Sequence, residues 1–175
     1  GGLAFFNGSN TGNLAIIDTL LSKSGVKARA ISSAPHTGFH RLSAGRTTVL
    51  MDTGAPPLET AHKWAHAGTL AFEMSAGKDR IIVNCGMPED ISPDWQQALR
   101  STAAHSTVVV DDINSSEINL SGGYIRQPGH VTSSRREIDG SAIIEASYDG
   151  YSKIFGLVHR RLIMLAPDGG EIQGE

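Results

Sequence analysis

The feature that most constrains the fold lies in the last third of the chain, where apolar and polar residues alternate with a period of two. The stretches HVTSSRREI and SAIIEASYDG flank Asp139-Gly140, a dipeptide that favours a tight two-residue turn between antiparallel strands. The following stretch, GLVHRRLIMLAPDGG, contains a further strand pattern and a second Asp-Gly turn. Because successive side chains of a strand point to opposite faces, this region predicts a meander of antiparallel strands.

The same alternation runs through the middle of the chain. GRTTVLMDTG predicts one strand, HAGTLAFEMSAGKDRIIVNCG predicts two strands joined by a glycine-containing turn, and HSTVVVDD predicts another. Leu70, Phe72 and Met74 are expected to share one face, and DRIIVNCG is expected to be a more fully buried strand. Many short strands separated by turn signals predict a mostly β fold, a large antiparallel β-sandwich.

One short N-terminal helix accompanies the predicted strands. Asn10 or Thr11 is the expected N-cap, and Ser24-Gly25 is the expected end. Between them, four apolar residues recur at helical spacing: Leu14, Ile17, Leu20 and Leu21. The stretch SPDWQQALRS is interpreted as a short helical or looped passage.

Size and charge narrow the functional classes. The 175 residues fit one domain, taken as 1–175, and a net charge of −3 provides no general attraction for nucleic acid or an anionic membrane. The apolar stretches are strand-sized, so no membrane span is expected. A start without Met or a signal pattern, and a polar end at GGEIQGE, suggest a fragment of a longer chain.

Two of the seven histidines differ from the rest in their surroundings. His66 and His105 each lie beside small residues and each precede a predicted strand, and Asn84 ends the strand expected to pair with the one that His66 begins. Two imidazoles and one side-chain oxygen would make a three-point site of the kind that zinc accepts. The alternative is a buried hydrogen-bonded knot that makes the strand ends rigid.

Two further residues are candidates for contact with a substrate. Arg100, just upstream of His105, could bind a carboxylate in bidentate fashion. Tyr124, in the glycine-rich stretch SGGYIRQPGH, could reach a cleft or could anchor its loop. In the arginine pairs 135–136 and 160–161, neighbouring side chains should face opposite sides of a strand.

Four stretches occur in the same order in the C-terminal β-domain of heparinase II/III-like proteins. They are GFHRLSAGRTTVLMDTG, HAGTLAFEMSAGKDRIIVNCG, RSTAAHSTVVVDD followed by Asn114-Ser115-Ser116, and EASYDGYSKIFGLVHRRLIML. The chain resembles this family over nearly its whole length after the first helix.

The resemblance implies a functional context. The better-studied members of the family are polysaccharide lyases that cleave uronic-acid-containing glycans by β-elimination, with an N-terminal α/α-toroid joined to a C-terminal β-sandwich. The chain would then be the β-sandwich half of a carbon–oxygen lyase, inactive alone. Its partners would be an acidic polysaccharide and the missing α-helical domain, and its location the periplasm or cell envelope. The alternative is a non-catalytic structural or carbohydrate-binding β-domain, although 6% aromatic residues disfavour a sugar-stacking face.

The resemblance also implies a zinc site. Carried over by position, the family's metal ligands fall on His66, Asn84 and His105. Asn84 stands where the family has an acid, and Trp64 stands where one well-studied member has a catalytic histidine. The catalytic base is therefore expected from the missing domain.

Overall fold

The computed structural model has a mostly β fold, which confirms the predicted class. It describes residues 4–10, 12–25, 30–56, 64–119, 124–126 and 129–175. A five-stranded sheet contains, in spatial order, β1 (Ser33–Ala34), β2 (Phe39–Ala44), β3 (Thr47–Asp52), β4 (Phe72–Ala76) and β5 (Asp79–Ile82). A short pair contains β6 (Glu117–Ile118) and β7 (Tyr124–Arg126). A four-stranded sheet, ordered β11-β10-β9-β8, contains β8 (Val131–Ile138), β9 (Ser141–Tyr148), β10 (His159–Leu165) and β11 (Ile172–Gly174).

The two larger sheets share one apolar core, as a sandwich requires. Every pair of neighbouring strands in them is antiparallel. Phe72 and Met74 pack against this core and Leu70 lies within it, which confirms the predicted apolar face. The buried core residues come from both sheets and from the loop before β4: Leu42, Val49, Met51, Leu70, Ile144, Ala146, Tyr148, Ile163 and Leu165.

The turn at Asp139-Gly140 is the predicted hairpin. Both residues have positive φ, 50° and 79°, as a two-residue turn that matches the twist of its strands requires. The ladder begins at once, with Ile138 paired to Ser141, and continues to Val131 paired with Tyr148.

Two strand predictions are wrong. β5 is an edge strand whose Ile81 is 55% exposed, so DRIIVNCG is not a buried strand. HSTVVVDD forms only an isolated bridge between Val110 and Ile113. Its backbone is held differently, because the Tyr151 hydroxyl donates to the carbonyl oxygens of Val108 and Ile113.

The N-terminal helix, α1 (Leu14–Ser24), ends at Gly25 in the left-handed conformation, as predicted. Its N-cap is Asn13, whose Oδ1 accepts from the Ile16 N–H at 3.2 Å. Asn10 instead closes a local turn by accepting from the Gly12 N–H, and Thr11 lies outside the described residues.

The other two helices have weaker signals in the sequence. SPDWQQALRS forms α2 (Pro93–Arg100), capped by Ser92. A short α3 (Ser152–Phe155) interrupts the β9–β10 connection and was not predicted. Within the described ranges, no helix is long and apolar enough to cross a membrane.

Candidate functional site

The structure brings the two singled-out histidines into contact. His66 lies in the loop before β4, and His105 directly follows the 3-10 turn Thr102–Ala104. Neither begins a strand, contrary to the prediction. His66 Nδ1 lies 3.3 Å from His105 Nε2, and the rings meet edge to face with centroids 5.2 Å apart. Gly68 allows this approach, because a Cβ there would lie 3.0 Å from His105 Cγ.

Both imidazoles are buried, and burial controls their charge. Burial lowers the pKa of His66 to about 3, together with the repulsion that His66 would meet from a protonated His105 and from Arg100, while a hydrogen bond to the Leu99 backbone opposes the shift. Burial alone lowers the pKa of His105 to about 4. The pair is therefore neutral at physiological pH, with one facing nitrogen donating and the other accepting.

Asn84 lies two residues beyond β5 and links that strand end to the loop that carries His105. Its backbone N–H and its Nδ2 both donate to Glu73 Oε1, at 3.1 and 3.3 Å. Its Oδ1 accepts from the Ser106 N–H at 2.9 Å and from the Ser106 hydroxyl at 3.3 Å. An amide can donate and accept in this way, whereas a carboxylate can only accept. With Glu73 beside it, the position suits Asn rather than an acid.

Glu73 and Ser106 are site residues that sequence reasoning missed. Glu73 is 7% exposed, and its carboxylate also accepts from the Phe5 N–H at 2.8 Å and pairs with Arg80 at 2.8 Å. Ser106 exchanges hydrogen bonds with both the N–H and the carbonyl of Phe72. Alternation alone placed Glu73 on the outer face of β4, where an acid is expected to be solvated. No residue pattern near Glu73 in the sequence predicts its burial.

Arg161 is a third missed residue. Its Nη1 donates to the carbonyl oxygens of Leu70 and Ser106, the latter at 2.7 Å. It thus ties together the two loops that carry the histidines. Its neighbour Arg160 pairs with Glu145 on the outer face, which confirms that the two arginines face opposite sides.

The side chain of Arg100 binds the backbone of the loop that carries His66. Arg100 is buried, its Nε donates to the Ala65 carbonyl at 3.0 Å, and its own carbonyl accepts from the Ala67 N–H at 2.9 Å. These bonds position the His66 loop, and the binding of a substrate carboxylate by Arg100 stays a prediction. The backbone of Tyr124 belongs to β7, and its side chain lies outside the described residues.

An N-terminal segment, residues 4–10, lies against the same region. Asn7 Oδ1 accepts from the His66 N–H at 3.2 Å, and the Asn7 side chain also bonds to Asp52. Burial raises the pKa of Asp52 to about 7, opposed by hydrogen bonds from the Gly54 backbone and from Asn7. The segment thus connects a buried acid at the end of β3 to the histidine loop.

The implied zinc site fits only in part. Two Zn–N bonds of about 2.0–2.1 Å at a tetrahedral angle place their nitrogens about 3.4 Å apart, close to the 3.3 Å between His66 and His105. Asn84 does not complete the site, because its Oδ1 already accepts from Ser106. Among the residues with described positions, no group of three or more His, Cys, Asp or Glu could hold a metal ion. Zinc stays a prediction.

The chain matches a known family over most of its length. The family described as "Heparinase II/III-like, C-terminal" matches residues 26–175. FtsZ-localized protein C of Caulobacter vibrioides (strain NA1000 / CB15N) is 32% identical over 183 residues, and the alignment covers 100% of this chain but 31% of that protein. The chain therefore spans about a third of the length of this curated relative.

Solved structures share the fold at low identity. A heparan sulfate lyase HepC mutant from Pedobacter heparinus superposes with a TM-score of 0.65 at 13% identity, over 93% of this chain and 27% of that one. A heparinase III superposes with a TM-score of 0.64 at 12% identity, over 93% and 28%. The family model covers most of the chain, and the fold is the one seen in these lyase structures: this chain belongs to the heparinase II/III-like C-terminal domain family.

Proposed function

We propose that this chain is the β-sandwich domain of a polysaccharide lyase that cleaves uronic-acid-containing glycans by β-elimination, together with an α-helical domain of the same protein. The observation that carries the proposal is the family match over residues 26–175, supported by the fold shared with proteins named as heparan sulfate lyase and heparinase III. The matched region is only about a third of the length of these relatives, which supports a second domain in the full-length protein.

β-Elimination sets three chemical tasks. The substrate carboxylate is neutralised, a base removes the proton on the adjacent carbon, and an acid protonates the departing glycosidic oxygen. The two histidines are buried and neutral, and Arg100 bonds to a backbone carbonyl. We therefore assign these side chains to the support of the cleft wall, and the proton transfers to groups of the helical domain.

The buried cluster, defined as His66, Asn84 and His105, carries no step of this mechanism. If zinc binds, His66 Nδ1 and His105 Nε2 would hold it, and the ion would supply positive charge near the substrate carboxylate. We place the full-length protein in the periplasm or cell envelope, in keeping with an acidic polysaccharide substrate. The curated relative is named for localization with FtsZ. A fluorescent fusion of the full-length protein should therefore be imaged for its location in the cell envelope and for overlap with FtsZ.

A second candidate function is a non-catalytic structural or carbohydrate-binding domain. The hydrogen bonding of Asn84 favours it, because both ends of the amide are already engaged by Glu73 and Ser106. Under this interpretation the cluster is a knot that makes the loops rigid, and a chelator should leave the melting temperature unchanged.

The decisive experiment uses the full-length protein with a panel of uronate-containing glycans and a neutral glycan as control. A lyase generates a double bond in the uronate at each cut, so ultraviolet absorbance should rise with the uronate glycans alone. Binding without such absorbance across the panel would reject the lyase and favour the second candidate.

A further inference from the structure

The outer face of the five-stranded sheet carries a groove of about 330 Å³ beside Ala4 of the N-terminal segment. This face is opposite the shared core. Leu42, Val49 and Met51 point into the core. Their neighbours along the strands, Arg41, Thr48 and Leu50, therefore point outward. The volume falls in the range of small-molecule sites, about 300–1,000 Å³.

Strand register arranges the floor and walls of the groove in two adjacent rows. In each row, the residues are direct cross-strand partners, so their side chains lie side by side. The first row contains Arg41, Leu50 and Glu73, and the second contains Thr48, Ser75 and Arg80. Lys78, in the β4–β5 turn, completes one wall. We call this set of residues the cationic groove.

The charges of the cationic groove do not cancel. Its lining has three cations, Arg41, Lys78 and Arg80, and one carboxylate, that of Glu73. Arg80 already pairs with Glu73 at 2.8 Å. Across the described parts of the chain, neither Arg41 nor Lys78 belongs to an ion pair. Two positive charges thus remain uncompensated in a concave site, on a chain whose net charge is −3.

We propose that the cationic groove is a subsite for a carboxylate-bearing sugar residue of an acidic polysaccharide. Arg41 offers a planar pair of donors that matches a carboxylate, and Lys78 adds a mobile point charge. The hydroxyls of Thr48 and Ser75 suit sugar hydroxyls, and Leu50 offers an apolar surface to the C–H face of the ring. The proposal rests on the proposed function, which supplies the acidic polysaccharide as the ligand class.

Two contacts fix the groove in place and connect it to the buried cluster. Arg80 is held by Glu73 and lies over the ring of Phe5, 4.1 Å from its centroid. Glu73 also accepts from Asn84, so one carboxylate of the groove contacts a member of the buried cluster.

The experiment measures binding of uronate trisaccharides, made of galacturonate or of mannuronate, to this 175-residue chain by isothermal titration calorimetry. A neutral galactose trisaccharide is the ligand control. The variants are Arg41→Gln and Lys78→Gln, and Arg160→Gln is the matched control because it removes a cation from the outer face of the other sheet. Each groove variant should weaken binding about fivefold, the double variant more than about tenfold, and Arg160→Gln should not weaken it.

The outcomes separate this proposal from the proposed function. No binding of either uronate trisaccharide, equal binding of the neutral one, or an equal loss in Arg160→Gln would overturn the groove. Cleavage by the full-length protein that is unchanged in the Arg41→Gln/Lys78→Gln double variant would also overturn it while the lyase function stands. Charge-dependent binding without cleavage would support the groove and reject the lyase.

Discussion

The four-stranded sheet and the loops that carry the buried cluster satisfy their backbones in opposite ways. In the sheet, strands that are consecutive in the sequence pair with each other, and the β8–β9 ladder runs unbroken from Val131 to Tyr148. In the loops, side chains from distant parts of the sequence bond to the backbone groups. Two arginines show this most clearly: Arg161 binds the Leu70 and Ser106 carbonyls, and Arg100 binds that of Ala65.

The difference gives buried polar residues a structural explanation that comes before any catalytic one. Buried backbone groups need partners, and a loop without a ladder must obtain them from side chains. Arg100, which the sequence suggested as a carboxylate ligand, binds the Ala65 carbonyl. An arginine near a histidine is thus as much a sign of an irregular buried loop as of a substrate site.

The largest effect should come from the loss of Arg161. Arg161→Leu leaves two carbonyls, those of Leu70 and Ser106, without their donor. Each buried unsatisfied group costs about 1–3 kcal/mol, so the free energy of unfolding should fall by about 3 kcal/mol in urea denaturation. The histidine NMR signals should also shift, because both loops lose their common anchor.

Arg160→Leu is the matched control for that change. Arg160 is adjacent in sequence but outward-facing and paired with Glu145 at the surface, where an ion pair contributes little. Its stability should stay near that of the parent. Equal losses in the two variants would contradict the idea that the loops depend on buried donors.

Asn84→Asp should have the next largest effect. The change removes the Nδ2 donor and places a second carboxylate beside that of Glu73. Like charges in a buried position repel, so the free energy of unfolding should fall by about 2 kcal/mol at neutral pH, measured by urea denaturation.

Asn10→Asp provides the control for the same chemical change. The Nδ2 of Asn10 also donates to a glutamate, Glu89, at 3.2 Å, but on the surface, so solvent should make its loss small. An Asn84→Asp variant more stable than the parent, above all one stabilised further by added zinc, would show instead that the cluster needs the acid of the family's metal pattern.

A pH-dependent effect should follow from Asp52→Asn. The folded-state pKa of Asp52 is raised to about 7 from 3.8, so the folded state holds its proton where the unfolded state has lost it. The parent should therefore lose stability from about pH 4 to about pH 7, and the variant should not. Across this range the stability difference should shift in favour of the variant by a few kcal/mol, since each pH unit between the two pKa values corresponds to about 1.4 kcal/mol, and above pH 7 it should stay constant.

Thermal unfolding of both proteins across this pH range gives the measurement. Histidines with lowered pKa values contribute an opposite slope, but they are common to both proteins and cancel in the difference. A difference that does not change with pH would mean that Asp52 titrates normally.

The same contrast explains what could be predicted from the sequence. The hairpin and the core face of Leu70, Phe72 and Met74 follow from residues within a few positions of each other. The site depends on contacts between residues far apart in the chain, 91 positions for Arg161 with Leu70 and 68 for Phe5 with Glu73. The periodicity of apolar and polar residues contains no information about contacts between such distant positions. His66 and His105 were found because small neighbours and the family resemblance marked both.

The smallest effect should come from a glycine in each region. Gly140→Ala places a side chain at φ +79° in the hairpin and should cost about 1 kcal/mol, with the imidazole NMR signals unchanged. Gly68→Ala places a methyl group 3.0 Å from His105 Cγ at an ordinary φ, so it should displace the ring and move those signals. If the two variants differ in stability alone and the imidazole signals stay in place, the His66–His105 contact does not depend on a small residue at position 68. If only Gly68→Ala moves the signals, the lack of a side chain at Gly68 makes room for the His105 ring, whereas Gly140 is required by the positive φ of its turn.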